Sequence, residues 1–184
     1  IDGYRPEMLH QAIYEKHCLY DGYDKNLCIY PVEDFPFFGR MRRNIAAWFR
    51  DNEGLREYFP KVLEEIDRRG VLCSEDLPWN EKIRWPWGNS RISRAALESL
   101  WMDGTLAIAK RDGVKKYYDR FERCYDAQLL HAPDPNPDDA DYFAWQVLRR
   151  TSSVGFLTGG ASDAFLCVDG MRQTERNEAF QKLI

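Results

Sequence analysis

The chain has 184 residues, 44% of them hydrophobic and 14% aromatic, a composition that folds rather than stays disordered and a length that allows one large or two small domains. No apolar run approaches the roughly 20 residues needed to span a bilayer, and no signal-peptide pattern opens the chain. Five scattered cysteines (18, 28, 73, 124 and 167) without C-x-x-C spacing fit buried thiols in a reducing cytoplasm better than a disulfide framework or a zinc site. Three histidines, none at metal-ligand spacing, leave no metal site and no cofactor to expect. The net charge is −4, but its distribution matters more than its sum. From Glu81 to Arg120 there are nine Lys/Arg against five Asp/Glu, so this segment carries +4 and the remainder −8.

Taken in order, residues 5–20 read as a helix with Leu9, Ile13 and Tyr20 inward, broken by Asp21-Gly22. Leu27 to Tyr30 suggests a short buried strand before Pro31, and PVEDFPFF an irregular aromatic stretch in which Glu33 and Asp34 are turn residues. Residues 40–51 are helical in character, with Met41, Ile45, Trp48 and Phe49 on one side. Arg40, Arg42, Arg43 and Arg50 lie off that side, as a solvated surface or a second basic face. A further helix runs from Glu53 or Pro60 to Arg69, with Phe59, Leu63 and Ile66 as its stripe and Gly70 as its terminator. Ser74 to Leu77 starts a short helix that Pro78 ends. Trp79, Trp85 and Trp87 then lead into the next element, as core residues or as platforms for bases.

That element is expected to be a helix opened by Asn89 or Ser90, both good N-caps. Its apolar face is Ile92, Ala96 and Leu100 with Leu97 and Trp101 alongside, and Asp103-Gly104 ends it. Thr105–Lys110 and Lys115–Phe121 flank Asp112-Gly113, a strong short hairpin signal, with Tyr117 and Tyr118 on opposite faces. Helix, extended piece, short helix, helix, strand, turn, strand is the order of a winged helix-turn-helix, with 88–102 as its recognition helix. HAPDPNPDDAD (131–141) has linker composition. Asp138 or Asp139 caps a helix to about Arg150 with Tyr142, Trp145 and Leu148 apolar, and 158–165 and 173–184 follow as a second and third helix, with Phe180 and Leu183 inward. This repeats the first three elements of 60–102 and stops before a wing. The expected fold is mainly α with short antiparallel β-ribbons, a tandem winged helix-turn-helix. Its segments are 1–59 (helical), 60–130 (winged helix), 131–138 (linker) and 139–184 (partial second winged helix). A start at Ile1 and an end at Ile184 inside an apparent helix suggest a piece of a longer chain.

Within this frame, LYDGYDKNLCIYPVEDFPFF (19–38), WGNSRISRAALESLWMDGTLAIAKRDGVKKYYDRFER (87–123) and the pattern of 139–166 resemble the YcaQ/AlkZ family of bacterial winged-helix proteins, which includes DNA glycosylases that unhook crosslinks. The motif residues are Trp87-Gly88, Arg94-Ala95-Ala96-Leu97-Glu98, Leu100, Gly104, Leu106, Tyr118-Asp119 and Glu122-Arg123. The resemblance implies tandem winged helices and a Gln-x-Gln or Gln-x-Asp catalytic motif in a first winged helix, upstream of residue 1. No such motif occurs here, and Asp24-Lys25-Asn26 replaces the family's His-Glu-Ala. The resemblance therefore assigns no catalytic residue to this chain and leaves base excision to residues outside it.

Six cations are the candidate DNA-binding residues. Arg91 and Arg94 in the first turn of the recognition helix oppose its dipole, which suggests a phosphate nearby; the alternative is solvation, or pairing of Arg94 with Glu98. Lys110, Arg111, Lys115 and Lys116 crowd the wing tip, where phosphate contact would be salt-sensitive; the alternative is a hairpin kept soluble by its lysines. The expected partner is double-stranded DNA, with no membrane and no metal, in a cytoplasmic, nucleoid-associated protein. Two other readings are open: a transcription regulator using Arg91 and Arg94 on base edges, and a protein-interaction module.

Overall fold

The computed structural model describes residues 2–50, 52–86 and 88–184, with the side chain of Arg50 also outside the description. Statements above about Trp87 and Arg50 therefore lie outside the described residues. Two compact units emerge, one formed by the chain up to Tyr23 and by Cys28–Ala132, the other by Asp24–Leu27 and Pro133–Ile184.

In the first unit, α1 (Pro6–Tyr14) starts at Pro6, whose fixed φ suits a first helical position. It is shorter than expected. The chain instead enters β1 (Leu19–Tyr23), which forms a two-stranded sheet with β2 (Leu27–Pro31). Asp21-Gly22 is thus strand, not breaker. A Cβ on Gly22 would sit 2.5 Å from the Tyr30 ring and 2.8 Å from that of Tyr20, so the glycine is there to let two rings close over the backbone.

A 3₁₀ turn over Val32–Phe38 carries Glu33 and Asp34 in its first turn and buries Phe35 and Phe38. Tyr20, Phe35, Phe121 and Tyr125 form one aromatic cluster, Phe35 and Phe121 having centroids 4.4 Å apart. In α2 (Gly39–Arg50), Phe49 is buried and stacks on Trp85 at 5.1 Å. Trp48, expected inward, is 57% exposed. Arg42 is no part of a solvated face: its guanidinium lies 3.5 Å from the Phe35 ring centroid and donates to the Phe35 carbonyl at 2.6 Å.

The expected helix before Gly70 is two pieces, α3 (Glu53–Arg56) and α4 (Tyr58–Arg69). Pro60 falls in the first turn of α4, where a missing amide costs no helical bond. Val62 and Ile66 are fully buried, with Phe59 and Leu63 packed against the same core. Past Gly70, Leu72 exchanges two backbone hydrogen bonds with Tyr118, at 2.7 and 3.1 Å. A 3₁₀ turn follows at Ser74–Asp76.

Next comes an unexpected element. β3 (Lys82–Trp85) and β4 (Gly88–Arg91) pair antiparallel, Lys82 opposite Arg91 and Trp85 opposite Gly88. Helix α5 begins only at Ile92 and runs to Met102, so Asn89 and Ser90 are strand residues rather than caps. The first two amides of α5 are taken by the carbonyls of Glu81 (2.9 Å) and Trp79 (3.2 Å), which meets the need of a helix start for acceptors. Ile92, Ala96, Leu97, Leu100 and Trp101 are buried as expected, but so is every other residue of α5 except Arg94, so the helix lacks the open face expected of a recognition helix.

β5 (Leu106–Asp112) and β6 (Lys115–Arg120) form the following hairpin. The connecting residues are Gly113 and Val114, one place later than Asp112-Gly113, because Asp112 still pairs with Lys115. A bulge at Ala109 separates the Ile108–Tyr118 pair from the Lys110–Tyr117 pair. Tyr118 is buried, whereas Tyr117 is half-buried. The short α6 (Phe121–Cys124) and α7 (Gln128–His131) close the unit.

In the second unit α8 (Asp139–Val154) is capped by Asp138, whose carboxylate accepts from the Asp141 amide at 2.8 Å. A 3₁₀ turn at Asp163–Phe165 and α9 (Gln173–Lys182) complete it. Its core is Tyr142, Phe143, Val147, Phe165, Val168, Met171 and Ala179, with Phe180 at the margin. Leu148 and Leu183 face outward, contrary to their expected places. The chain is mainly helical with short antiparallel ribbons.

Candidate nucleic-acid interface

All six nominated cations lie on the consecutive elements β4, α5, β5 and β6. The structure gives them unequal surroundings. Arg91 is the last residue of β4, in extended conformation (φ −67°, ψ 143°), not in a first helical turn. Its guanidinium makes three long contacts, to Glu75 Oε1 at 3.3 Å, Asn80 Oδ1 at 3.4 Å and Ser74 Oγ at 3.5 Å. The same Glu75 carboxylate takes Lys115 at 3.3 Å. A hydrogen bond with the Cys73 thiol and the Lys115 ammonium together push the Glu75 carboxyl down to about 2, and Glu75 in turn raises Lys115 above the usual lysine range.

Arg94 pairs with Glu98 at 3.2 Å while its side chain remains 62% exposed. Lys116 approaches the same buried carboxylate at 3.5 Å and lies 4.3 Å from the Trp101 ring centroid. Burial pulls Lys116 below the usual lysine value even though Glu98 opposes the change. Arg111 turns inward to Asp21, meeting it at 2.5 and 2.8 Å. Its hydrogen bonds with Asp21 raise its already high pKa. Lys110 is different again: its ammonium sits 4.6 Å from the Tyr117 ring centroid, and it has no carboxylate partner among the described residues.

Exposed pairs of this kind contribute little to stability and exchange readily with other charges. The cations of Arg91, Lys110 and Lys115 are therefore the least constrained of the six, whereas Arg94 is exposed but shares the buried Glu98 carboxylate with Lys116. Arg111 and Lys116 are held by buried carboxylates and shape the ribbon from behind.

Two open clefts lie in the first unit. One of about 520 Å³ is lined by Asp103, Thr105, Arg120, Glu122, Leu130 and His131, and another of about 340 Å³ by His17, Val32, Arg123, Cys124, Tyr125 and Asp126. Burial pushes the Cys124 thiol up to about 12, which removes it as a nucleophile near neutral pH. Asp24, which begins the segment standing in place of His-Glu-Ala, is buried and paired with both Arg149 and Arg150, the latter at 2.7 Å. Gln146 is buried and donates to the Tyr142 hydroxyl at 3.0 Å. Among the described residues no group of three or more His, Cys, Asp or Glu could hold a metal ion. No described helix is long and apolar enough to cross a membrane.

Trp79 and Trp85 serve the core, Trp85 stacked on Phe49 and Trp79 edge-on to Tyr58 at 5.3 Å. What the sequence reading missed is the β3–β4 ribbon, whose signal is the polar–apolar alternation Lys82-Ile83-Arg84-Trp85 followed by Pro86 and Gly88.

No curated protein and no solved structure matches the chain. The family model described as DNA glycosylase AlkZ-like matches residues 1–183. Nearly the whole chain is covered, including the segments quoted above for the resemblance. The chain belongs to the AlkZ-like DNA glycosylase family, which ties it to DNA and to DNA repair.

Proposed function

We propose that the chain grips double-stranded DNA with a winged helix formed by α4 to β6 and holds the duplex for base excision by residues outside it. The observation that carries this reading is the arrangement of α5 and the β5–β6 hairpin against α4. Leu72 pairs with Tyr118 as a third strand, α5 packs in the same core as α4, and Lys110 and Lys115 both lie over Tyr117 on one face of the hairpin, while Arg94 shares Glu98 with Lys116 of the other face. In this reading β5–β6 is the wing, and α5, expected as the recognition helix, is its buried support: ten of its eleven residues are buried, so it offers the duplex only Arg94. Arg91 completes the set beside α5, and Arg111 and Lys116 support it. The unit containing α8 and α9 is taken as the first helices of a second such module, making the array a tandem one.

Contacts of this type are to phosphate and carry no sequence information. The expected behaviour is weak, salt-sensitive binding with little sequence preference. Fluorescence polarisation with a duplex at about 50 mM salt tests it: replacing Lys110 and Lys115 by Ala should weaken binding alike for unrelated sequences and flatten the salt dependence. Unchanged binding would overturn the assignment of the wing. A sharp motif selected from random duplexes would favour a transcription regulator instead.

A further inference from the structure

The β3–β4 ribbon has two faces of opposite character. On one, Trp85 is buried against Phe49 and Ile83 packs on the core beside Gly54, where a Cβ would lie 2.7 Å from Ile83 Cδ1. On the other stand Lys82, Arg84 and Asn89, all exposed, with Arg91 opposite Lys82. Residues two apart on a strand share a face at about 6.7 Å, so Lys82 and Arg84 present a row of charge.

Three facts about that row point outward. Like charges directly opposite each other are destabilising in an antiparallel pair, and Lys82 faces Arg91. Neither Lys82 nor Arg84 has a carboxylate or any other polar side-chain partner among the described residues, whereas five of the six nominated cations are paired: Arg91, Arg94, Arg111, Lys115 and Lys116. The ribbon also leads directly into α5, since Arg91 ends β4 and Ile92 begins the helix.

We infer that the outer face of the β3–β4 ribbon is a second DNA-backbone contact, in which Lys82 and Arg84 each meet a phosphate of the duplex held by the β5–β6 wing. An anion there neutralises two cations that the protein leaves uncompensated, while Glu75 already offsets Arg91. Asn89, opposite Arg84, adds a neutral donor to the same face. This assignment rests on the DNA-binding reading above. Lysines that only guard a strand edge would show none of the behaviour that follows.

The test uses the whole 184-residue chain and a labelled duplex of arbitrary sequence, titrated between about 50 and 200 mM salt. Each phosphate contact contributes about 0.9 to the slope of log affinity against log salt. The double variant Lys82→Gln, Arg84→Gln should lose about 1.8 of that slope, so its deficit against the parent should shrink about twelvefold across the range. Arg56→Gln, at an exposed cation on α3 without a partner among the described residues, should change neither affinity nor slope. If the double variant melts early, Lys82→Gln alone carries the test with half the change. A parent that binds duplex and a variant that keeps its slope would overturn the ribbon contact and leave the wing's role standing. A parent that binds no duplex would overturn both.

Discussion

Asp21 and Arg111 lie 90 residues apart in the chain and meet in a two-pronged ion pair, with Nε at 2.5 Å from one carboxylate oxygen and a terminal nitrogen at 2.8 Å from the other. The Tyr14 hydroxyl donates to the same carboxylate at 2.6 Å, and the Trp101 indole donates to the Asp21 carbonyl at 3.0 Å. One acidic residue on β1 therefore joins α1, α5 and β5.

Removing a single partner of a buried pair leaves a charge without compensation, which costs about 3 kcal/mol. Asp21→Asn should lower the stability read by urea denaturation by about that amount. Asp21→Asn combined with Arg111→Met should lose less than the sum of the two single variants, because the second change removes the stranded cation.

Gly104 and Gly113 both have positive φ, 89° and 56°, but their surroundings differ. A Cβ at Gly104 would stand 2.9 Å from Arg42 Cδ and 3.3 Å from the Phe35 ring, whereas nothing lies within 4 Å at Gly113. Gly113→Ala should cost about 1 kcal/mol, the backbone penalty alone. Gly104→Ala should cost about 2–3 kcal/mol, since packing strain adds to it. Thermal melts of the two variants give the comparison.

Several carboxyls are held below their ordinary values: Glu75 at about 2 by Cys73 and Lys115, Asp76 chiefly by the Cys73 amide, and Asp67 chiefly by Arg120. A depressed carboxyl contributes stability that is complete above its unfolded value and disappears as pH falls through its folded one. The melting temperature should therefore fall between about pH 4.5 and pH 2. Glu75→Gln should make that decline shallower. A melting temperature flat across the window would contradict these pairings.

Four of the five thiols fall into two classes of reactivity. Cys18 and Cys167 are exposed, Cys73 is buried, and Cys124 is pushed up to about 12 by its surroundings. At pH 8 a thiol-specific chromogen should label Cys18 and Cys167 first, with Cys73 and Cys124 reacting only on unfolding. Rapid labelling of Cys124→Ser to the same extent as the parent would agree with this order, and a missing fast equivalent would contradict it.

What could be read from the residues follows how local the cause is. The α5 stripe and the Asp138 cap depend on neighbours three or four places away, and both stand as expected. The β5–β6 hairpin was also legible, with its turn displaced by one residue. Asn89 and Ser90 have good capping side chains but do not cap, because backbone carbonyls of Glu81 and Trp79 meet the amides of Ile92 and Ser93. The ribbon was hidden for the same reason. At the interface, counting cations located the basic segment but could not rank its members. Which of them is held depends on Asp21, Glu75 and Glu98, and two of those three come from distant parts of the chain.

The extra residue at Ala109 decides between two neighbours. In an unbroken ladder from the Ile108–Tyr118 pair, Ala109 would face Tyr117, Lys110 would face Lys116, and Arg111 would face Lys115. Because the bulge absorbs one residue, Lys110 faces Tyr117 and Arg111 faces Lys116 instead, and Arg111 reaches Asp21. A strand reverses its side chains with every residue, so this single insertion exchanges the roles of adjacent cations. It makes Arg111 an internal tie and leaves Lys110 to the solvent. Deleting Ala109 would keep both pairings and remove only the local twist. Adding a residue elsewhere in β5 would turn the tie outward and bring the free lysine in.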